Sequence, residues 1–272
     1  MGWFEAIILG IIQGLTEFLP ISSSAHILIA SQIFQWPDPG AAFTAVTQIG
    51  TEAAVLIYFR KDIGRIVSTW FRSLRDSSLR SDPDARMGWI VIIGTIPISI
   101  LGLAFSHQIE TVARNLWLVA AMLAIFGLVL GASDALGARV RTSEQMTWRD
   151  GILIGLAQAL ALIPGVSRSG ATISGGLFLG YTRAAAARFA FLLAIPAVLL
   201  SGFYEATKIG KDGAPTSWGP TILATVIAFV VGYTVIRWLM KYLMTGSFRP
   251  FVFYRLGLAA LLVILLVTGV VS

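Results

Sequence analysis

The 272-residue chain has no cysteine and only two histidines, His26 and His107. The first absence excludes a disulfide framework and thiol chemistry; the second excludes a multi-histidine metal site. Charge is also scarce. Asp, Glu, Lys and Arg make up 12% of the chain, against about 25% in soluble domains. Apolar residues reach 56%, and the mean hydropathy is +0.81. Apolar runs close to twenty residues complete the picture of an integral membrane protein. The net charge of +6 is then explained by cytoplasmic loops, with no need for a nucleic-acid partner. No basic run precedes the first apolar segment: its first charge is Glu5, and apolar sequence continues past Pro20. The segment is therefore read as part of the mature fold and not as a signal peptide.

Six stretches are long and apolar enough to span a bilayer: 42–59, 88–106, 116–133, 187–204, 219–238 and 251–270. Two regions, 4–34 and 150–180, are not. Each has two short apolar arms around a centre rich in Pro, Gly and Ser. Irregular backbone at membrane depth is tolerated only where protein or a polar cavity covers it. Each region is therefore expected to form a helical hairpin that enters and leaves by the same side.

The two regions also match each other. Trp3, Glu5, Gly10, Gln13 and Leu15 correspond to Trp148, Asp150, Gly155, Gln158 and Leu160. At the same spacing Ser22 and Ser24 fall on Ser167 and Ser169. Apolar helices share Leu and Ile by chance, but rarely Trp, Gln, an acid and two Ser together, so the match indicates an internal repeat. The expected fold is an all-α integral membrane protein of two inverted-topology repeats. The first is 1–145, with the hairpin 4–34 and spans 42–59, 88–106 and 116–133. The second is 146–272, with the hairpin 150–180 and spans 187–204, 219–238 and 251–270. An odd number of spans per repeat inverts the second half. Sixteen of the 20 Lys and Arg, from Arg60 and Lys61 through to Arg249 and Arg255, then share one side. Only Arg114, Lys208 and Lys211 lie on the other, and Arg168 sits at a hairpin tip. The basic side is assigned to the cytoplasm, which puts both termini outside.

The chemistry-bearing residues gather at the two tips. The first has Gln13, Glu17, Ser22, Ser23, Ser24 and His26, with Gln13 and Glu17 one helical turn apart. The second reads PGVSRSGAT, with Ser167, Arg168, Ser169 and Thr172 opening a helix. Serine hydroxyls, a helix N-terminus and an arginine fork suit a phosphate. A lone arginine at membrane depth costs about 3 kcal/mol or more, so Arg168 needs a carboxylate or phosphate partner. Glu17 and Gln13 are oxygen donors and suit Mg²⁺ or Ca²⁺. Together the tips hold parts for phosphoryl transfer: a carboxylate, hydroxyls, a histidine and an arginine. Glu52, inside the 42–59 span, is a further intramembrane carboxylate with no assigned role. His107 is read as structural, and the basic run 72–86 as a solvated loop.

These motifs resemble those of the bacterial undecaprenyl-diphosphate phosphatase family of the bacitracin-resistance type. Gln13 and Glu17 match its (E/Q)xxxE motif, with Gln in place of one carboxylate. Pro20, Ser22, Ser23 and His26 match its PxSSxxH motif. Pro164, Gly165, Ser167, Arg168, Ser169 and Thr172 match PGxSRSxxT. The resemblance covers essentially the whole chain. It implies a plasma-membrane hydrolase that removes the terminal phosphate of undecaprenyl diphosphate, recycling the carrier lipid of cell-wall synthesis. It further implies a divalent cation and an active site open to the outer face. Carried over, Glu17 is metal ligand or base and Arg168 clamps the diphosphate. Ser23 and His26 are the alternatives for nucleophile and proton partner; Ser22, Ser24, Ser167, Ser169 and Thr172 bind substrate. A homodimer is compatible with the sequence.

The rival reading is an inverted-repeat transporter or flippase of a phosphorylated lipid or small anion, since that architecture also serves transport. The other membrane lipid-phosphatase pattern, Lys-x6-Arg-Pro followed by Ser-Arg-x5-His, is absent. Seven residues separate Lys241 from Arg249, and no histidine follows Arg168.

Overall fold

The computed structural model describes residues 1–37, 40–111, 115–206 and 218–271. These residues form twelve α-helices, and their one extended pairing is a bridge between Arg141 and Tyr181. In order the helices are α1 (Trp3–Thr16), α2 (Ser23–Ile33), α3 (Gly40–Tyr58), α4 (Arg60–Ser73), α5 (Pro83–Ala104) and α6 (Ser106–Thr111). Then come α7 (Leu116–Leu136), α8 (Trp148–Ala159), α9 (Arg168–Phe178), α10 (Arg183–Ala206), α11 (Trp218–Tyr242) and α12 (Arg249–Val267). Five of them, α5, α7, α10, α11 and α12, are long and apolar enough to cross a membrane. The expected span 42–59 matches the 19-residue α3 to within two residues at each end; α3 carries the polar residues Thr44, Thr47, Gln48, Thr51 and Glu52.

Each matched region begins with a helix that starts at its tryptophan. The matched acids explain why. Glu5 and Asp150 sit in the first turn and accept the N–H of Gly2 at 3.0 Å and of Thr147 at 2.9 Å. A carboxylate there satisfies an otherwise orphaned donor at the helix start. After the tip, α2 and α9 are each 11 residues long, and each is preceded by a serine with positive φ, 74° at Ser22 and 72° at Ser167. Serine rarely adopts that conformation; here it re-aims the chain at both tips.

The helices of the two halves pack on each other crosswise. α1 lies along α11 of the second half, and α8 lies along α5 of the first. Both contacts are close at the matched glycines. A Cβ on Gly10 would run into the backbone of Ala224, and one on Gly155 into the backbone of Gly94. α3 lies between α10 and α11, while α7 packs on α9 and α12.

Two expectations need correction. Residues 72–86 are not a free loop. They hold the end of α4, a 3₁₀ turn at Ser77–Ser81 and the start of α5, which begins at Pro83. Asp82 caps that start by accepting from the N–H of Asp84, and Pro83 fits the first turn because its missing N–H would have no partner there. The preceding α4 is a surface helix with basic residues beside exposed Val67 and Phe71. Second, Arg255 is not a surface cation: it is fully buried. Arg114, Lys208, Lys211 and the His107 side chain lie outside the described residues.

Other residues of the basic side do meet at one end of the bundle. Asp62 pairs with Arg65 and Arg188, Arg65 with Asp84, and Arg188 also donates to Ser143. Arg183 pairs with Asp134 at 2.5 Å, tying the start of α10 to the end of α7. Asp150 accepts from Arg141, Tyr181 and Thr147. Burial alone would raise its pKa, but these donors together hold it down to about 2.

Candidate active site

The two tips meet. Glu17, just after α1, is 9% exposed and forms an ion pair with Arg168, the first residue of α9. Arg168 bonds to Oε1, which leaves Oε2 to accept from Gln13 Nε2 at 2.9 Å and from Ser23 Oγ at 2.7 Å. One carboxylate thus holds a cation, an amide and a hydroxyl. The partner that an intramembrane arginine requires is Glu17, from the other half of the chain. Ser169 fastens the same junction from the side, its Oγ donating to the carbonyls of Leu19 at 3.1 Å and Glu17 at 3.3 Å.

Beside this pair opens a cavity of about 530 Å³. Its polar end is lined by Glu17, Ser22, Ser23, Ser24, Ser167 and Arg168. The rest is mostly apolar: Ile27 and Leu28 from α2, Ile98 and Leu103 from α5, Leu162, and Ala197 and Leu200 from α10. A charged head and an apolar tail are therefore accommodated in one continuous space. That is the shape an amphiphile with an anionic headgroup demands.

The candidate residues divide by position. Glu17, Ser22, Ser23, Ser24, Ser167 and Arg168 line the cavity. Gln13 is fully buried behind Glu17, and its Oε1 is buried with no hydrogen-bond partner among the described residues. Ser22 and Ser24 hydroxyls lie 3.2 Å apart, as do those of Ser167 and Ser169. Thr172 does not line the cavity. It is 1% exposed, and its hydroxyl donates back to the carbonyls of Arg168 and Ser169, closing the first turn of α9.

His26 bonds to groups other than Ser23. Its Nδ1 lies 2.7 Å from the Ser22 carbonyl, which can only accept, so that nitrogen carries the proton. Its Nε2 lies 2.7 Å from the hydroxyl of Tyr254 on α12, and the two rings stack at 5.6 Å. Tyr254 was missed in the sequence, because a contact between residues so distant leaves no local signal. Glu52 belongs to the neighbourhood of the site without lining the cavity. Thr44, Gln48 and Glu52 are spaced four apart on α3; the first two line the cavity and Glu52 is 3% exposed one turn further on. Its Oε1 is buried without a hydrogen-bond partner among the described residues, and the carboxylate is within electrostatic reach of Arg168 and Glu17.

An oxygen-only donor set suits a hard divalent cation. Among the described residues no three of His, Asp and Glu converge as a self-sufficient metal cage. Glu17, which lines the cavity, fits instead a cation held partly by protein and partly by phosphate oxygens, as Mg²⁺ sites often are, with the unpartnered Oε1 on the Gln13 amide behind it.

The chain is similar to known proteins over nearly its whole length. The family model described as bacitracin resistance protein BacA matches residues 6–261. The chain is 57% identical to undecaprenyl-diphosphatase 2 of Streptomyces coelicolor, over 100% of this chain and 97% of that protein. It is 58% identical to the undecaprenyl-diphosphatase of Pseudarthrobacter chlorophenolicus over the full length of both. It is 57% identical to that of Kineococcus radiotolerans, over 99% of this chain and 95% of that protein.

Proposed function

The chain belongs to the bacitracin resistance protein BacA family, and on that premise we infer that it is an undecaprenyl-diphosphate phosphatase. It is a multi-pass membrane hydrolase that converts undecaprenyl diphosphate to undecaprenyl phosphate and inorganic phosphate. The geometry that carries the mechanism is the Glu17 carboxylate, with Arg168 on one oxygen and the Ser23 hydroxyl on the other, at the polar end of an apolar cavity.

In this reading the diphosphate lies at the tips and the isoprenoid along α2, α5 and α10. Arg168 takes phosphate oxygens in place of Glu17, whose carboxylate is then free to act as base. Ser23 Oγ attacks the terminal phosphorus and its proton passes to Glu17. The bond from that phosphorus to the bridging oxygen breaks, and its electron pair leaves with undecaprenyl phosphate. Glu17 gives that proton to the departing undecaprenyl phosphate. The restored carboxylate then takes a proton from water as the water oxygen attacks phosphorus, the Ser23 Oγ–P bond breaks, and Glu17 returns the proton to Ser23, leaving inorganic phosphate and the serine hydroxyl. Ser23 is preferred to His26 as nucleophile because Ser23 already donates to the base, whereas both ring nitrogens of His26 are engaged elsewhere. A divalent cation, Mg²⁺ or Ca²⁺, would be held by Gln13 and Glu17 and would neutralise phosphate charge. Ser22, Ser24 and Ser167 hydrogen-bond the headgroup; Ser169 and Thr172 shape the second tip.

The hairpins are re-entrant, and the halves are inverted repeats over 1–145 and 146–272. Support comes from the matched helix starts, the paired positive-φ serines and the crosswise packing of α1 on α11 and α8 on α5. The end that gathers Arg65, Arg141, Arg183 and Arg188 faces the cytoplasm, so both termini and the cavity open outward. All the groups used belong to one chain, so a homodimer would contain two independent sites.

Purified protein in detergent is expected to release phosphate from undecaprenyl diphosphate with Mg²⁺ or Ca²⁺, and to stop on chelation. No release from a folded protein would overturn the phosphatase reading in favour of transport. Tyr254→Phe keeps the ring stack and loses one hydrogen bond to His26. A bond of this kind is worth about 1 kcal/mol, so kcat is expected to fall roughly fivefold in steady-state assays.

A further inference from the structure

Arg255 is the one arginine buried to 0% exposure among the described residues, and it forms no ion pair there. It sits on α12, well inside an apolar helix. A guanidinium has five N–H donors in a fixed plane, and here every one has a backbone carbonyl. Nε donates to Leu123 at 3.1 Å, and Nη2 to Met122 at 3.2 Å, both on α7. The other three reach the tips: Nη1 to Pro20 at 3.1 Å and to Val166 at 3.2 Å, and Nη2 to Gly165 at 2.7 Å. A single side chain therefore ties the first tip, the second tip and α7 together.

The bond to Val166 has a consequence for the neighbouring amide. The tip peptides are trans, as are all those among the described residues, so within each planar peptide the N–H points opposite to the C=O. The Val166 carbonyl faces Arg255, so the Ser167 N–H faces away from it. The other two tip peptides use their N–H groups internally, Ile21 to Leu19 at 2.7 Å and Val166 to Ile163 at 3.2 Å. The Ser167 N–H makes no such backbone bond among the described residues, and Ser167 lines the cavity beside Arg168.

We propose that Arg255 is a positioning residue for the phosphate site: it locks the two tips in register and aims the Ser167 amide at the terminal phosphate. The proposal rests on the phosphatase reading above. It explains why the position is arginine, since lysine's three donors on one nitrogen cannot serve five carbonyls spread over three segments. It also places a permanent positive charge behind the tips, on the side opposite the anion.

The test is a double-mutant cycle of Arg255→Lys with Arg168→Lys, assayed on undecaprenyl diphosphate with Mg²⁺. A misplaced donor of this kind is worth about 100-fold in rate. Arg255→Lys alone is expected to lower kcat by about that factor while KM changes less than about threefold, because the tail contacts are untouched. Added to Arg168→Lys, the same change should cost at least fivefold less than it does alone, because both act on one tip. Additive losses, a change confined to KM, or wild-type kcat would overturn the proposal. If Arg255→Lys does not fold, the wild type decides. Inorganic pyrophosphate with Mg²⁺ should slow amide hydrogen exchange in the peptide spanning 165–170. Unchanged exchange in that peptide at saturating pyrophosphate would overturn it. An inactive wild type, or full activity in Arg168→Lys, would instead count against the phosphatase reading itself.

Discussion

Ser23→Ala is expected to lower kcat for phosphate release by at least about 10³-fold, with little change in KM or thermal stability. Removing a nucleophile that works as a unit with its base typically eliminates most of the chemical acceleration, leaving only what binding and charge neutralisation supply. Ser23 is the first residue of α2, and its hydroxyl is spent on one bond, to Glu17 Oε2 at 2.7 Å. Alanine suits a helix start less well than serine, but Ser23 is not the cap of α2; Ser22 is. Folding should therefore be spared. His26→Ala makes the contrasting case. It breaks the link to Tyr254 and the bond to the Ser22 carbonyl, so its loss should be shared between stability and rate. If His26 were the nucleophile, the order would reverse, with Ser23→Ala keeping more activity than His26→Ala. Rapid-quench trapping of phosphorylated protein would separate the two chemically. A phosphoserine survives acid, whereas a phosphohistidine does not.

Much of this site was legible in the sequence because a bilayer makes polar residues informative. Glu17, Ser23 and Arg168 stand in apolar surroundings where they cannot face lipid, so each needed a partner, and they partner one another. The repeat helped in the same way. The alignment of Trp3 with Trp148 anticipated where α1 and α8 begin, and the serine matches anticipated two tips with the same backbone turn.

The misreadings have physical causes. Arg255 was counted as a cytoplasmic cation because it lies near the start of an apolar span, where the positive-inside rule expects such residues. Nothing local distinguishes an arginine facing water from one facing five carbonyls. Ser169 and Thr172, by contrast, are not misread on any finding: their motif suggests ligand contact, and their hydroxyls also bond to backbone carbonyls at the tips. Residues 60–73, which received no reading as a helix in the sequence, form α4, whose apolar members Val67 and Phe71 lie on an exposed surface that a membrane interface would cover.

The Glu17–Arg168 pair is expected to show opposite behaviour in stability and in activity. Its side chains are 6% and 18% exposed, so removing one partner leaves a charge in a site with little water. Breaking a buried pair in this way costs about 3 kcal/mol or more, whereas replacing both partners with apolar side chains is often neutral. The two single variants should not be equal. In Arg168→Met the Glu17 carboxylate keeps two donors, Gln13 and Ser23. In Glu17→Leu the Arg168 guanidinium loses the only side-chain acceptor found for it among the described residues. Glu17→Leu should therefore lower the apparent melting temperature in detergent by roughly 5–10 °C, and Arg168→Met by clearly less. The double variant Glu17→Leu/Arg168→Met should recover most of that loss. Activity should follow no such recovery. Each single variant and the double should lose about 10³-fold or more in kcat/KM, since the base and the phosphate clamp are separate requirements of the reaction. Melting curves and phosphate release on the four proteins decide the matter. A double variant as unstable as Glu17→Leu would show that the pair is not the electrostatic unit described. A Glu17→Leu protein with near wild-type turnover would remove Glu17 from the mechanism. The expected split, stability restored and catalysis not, would mean that the chain holds two opposite charges in an apolar interior for chemistry, with their mutual pairing making that placement tolerable while no substrate is bound.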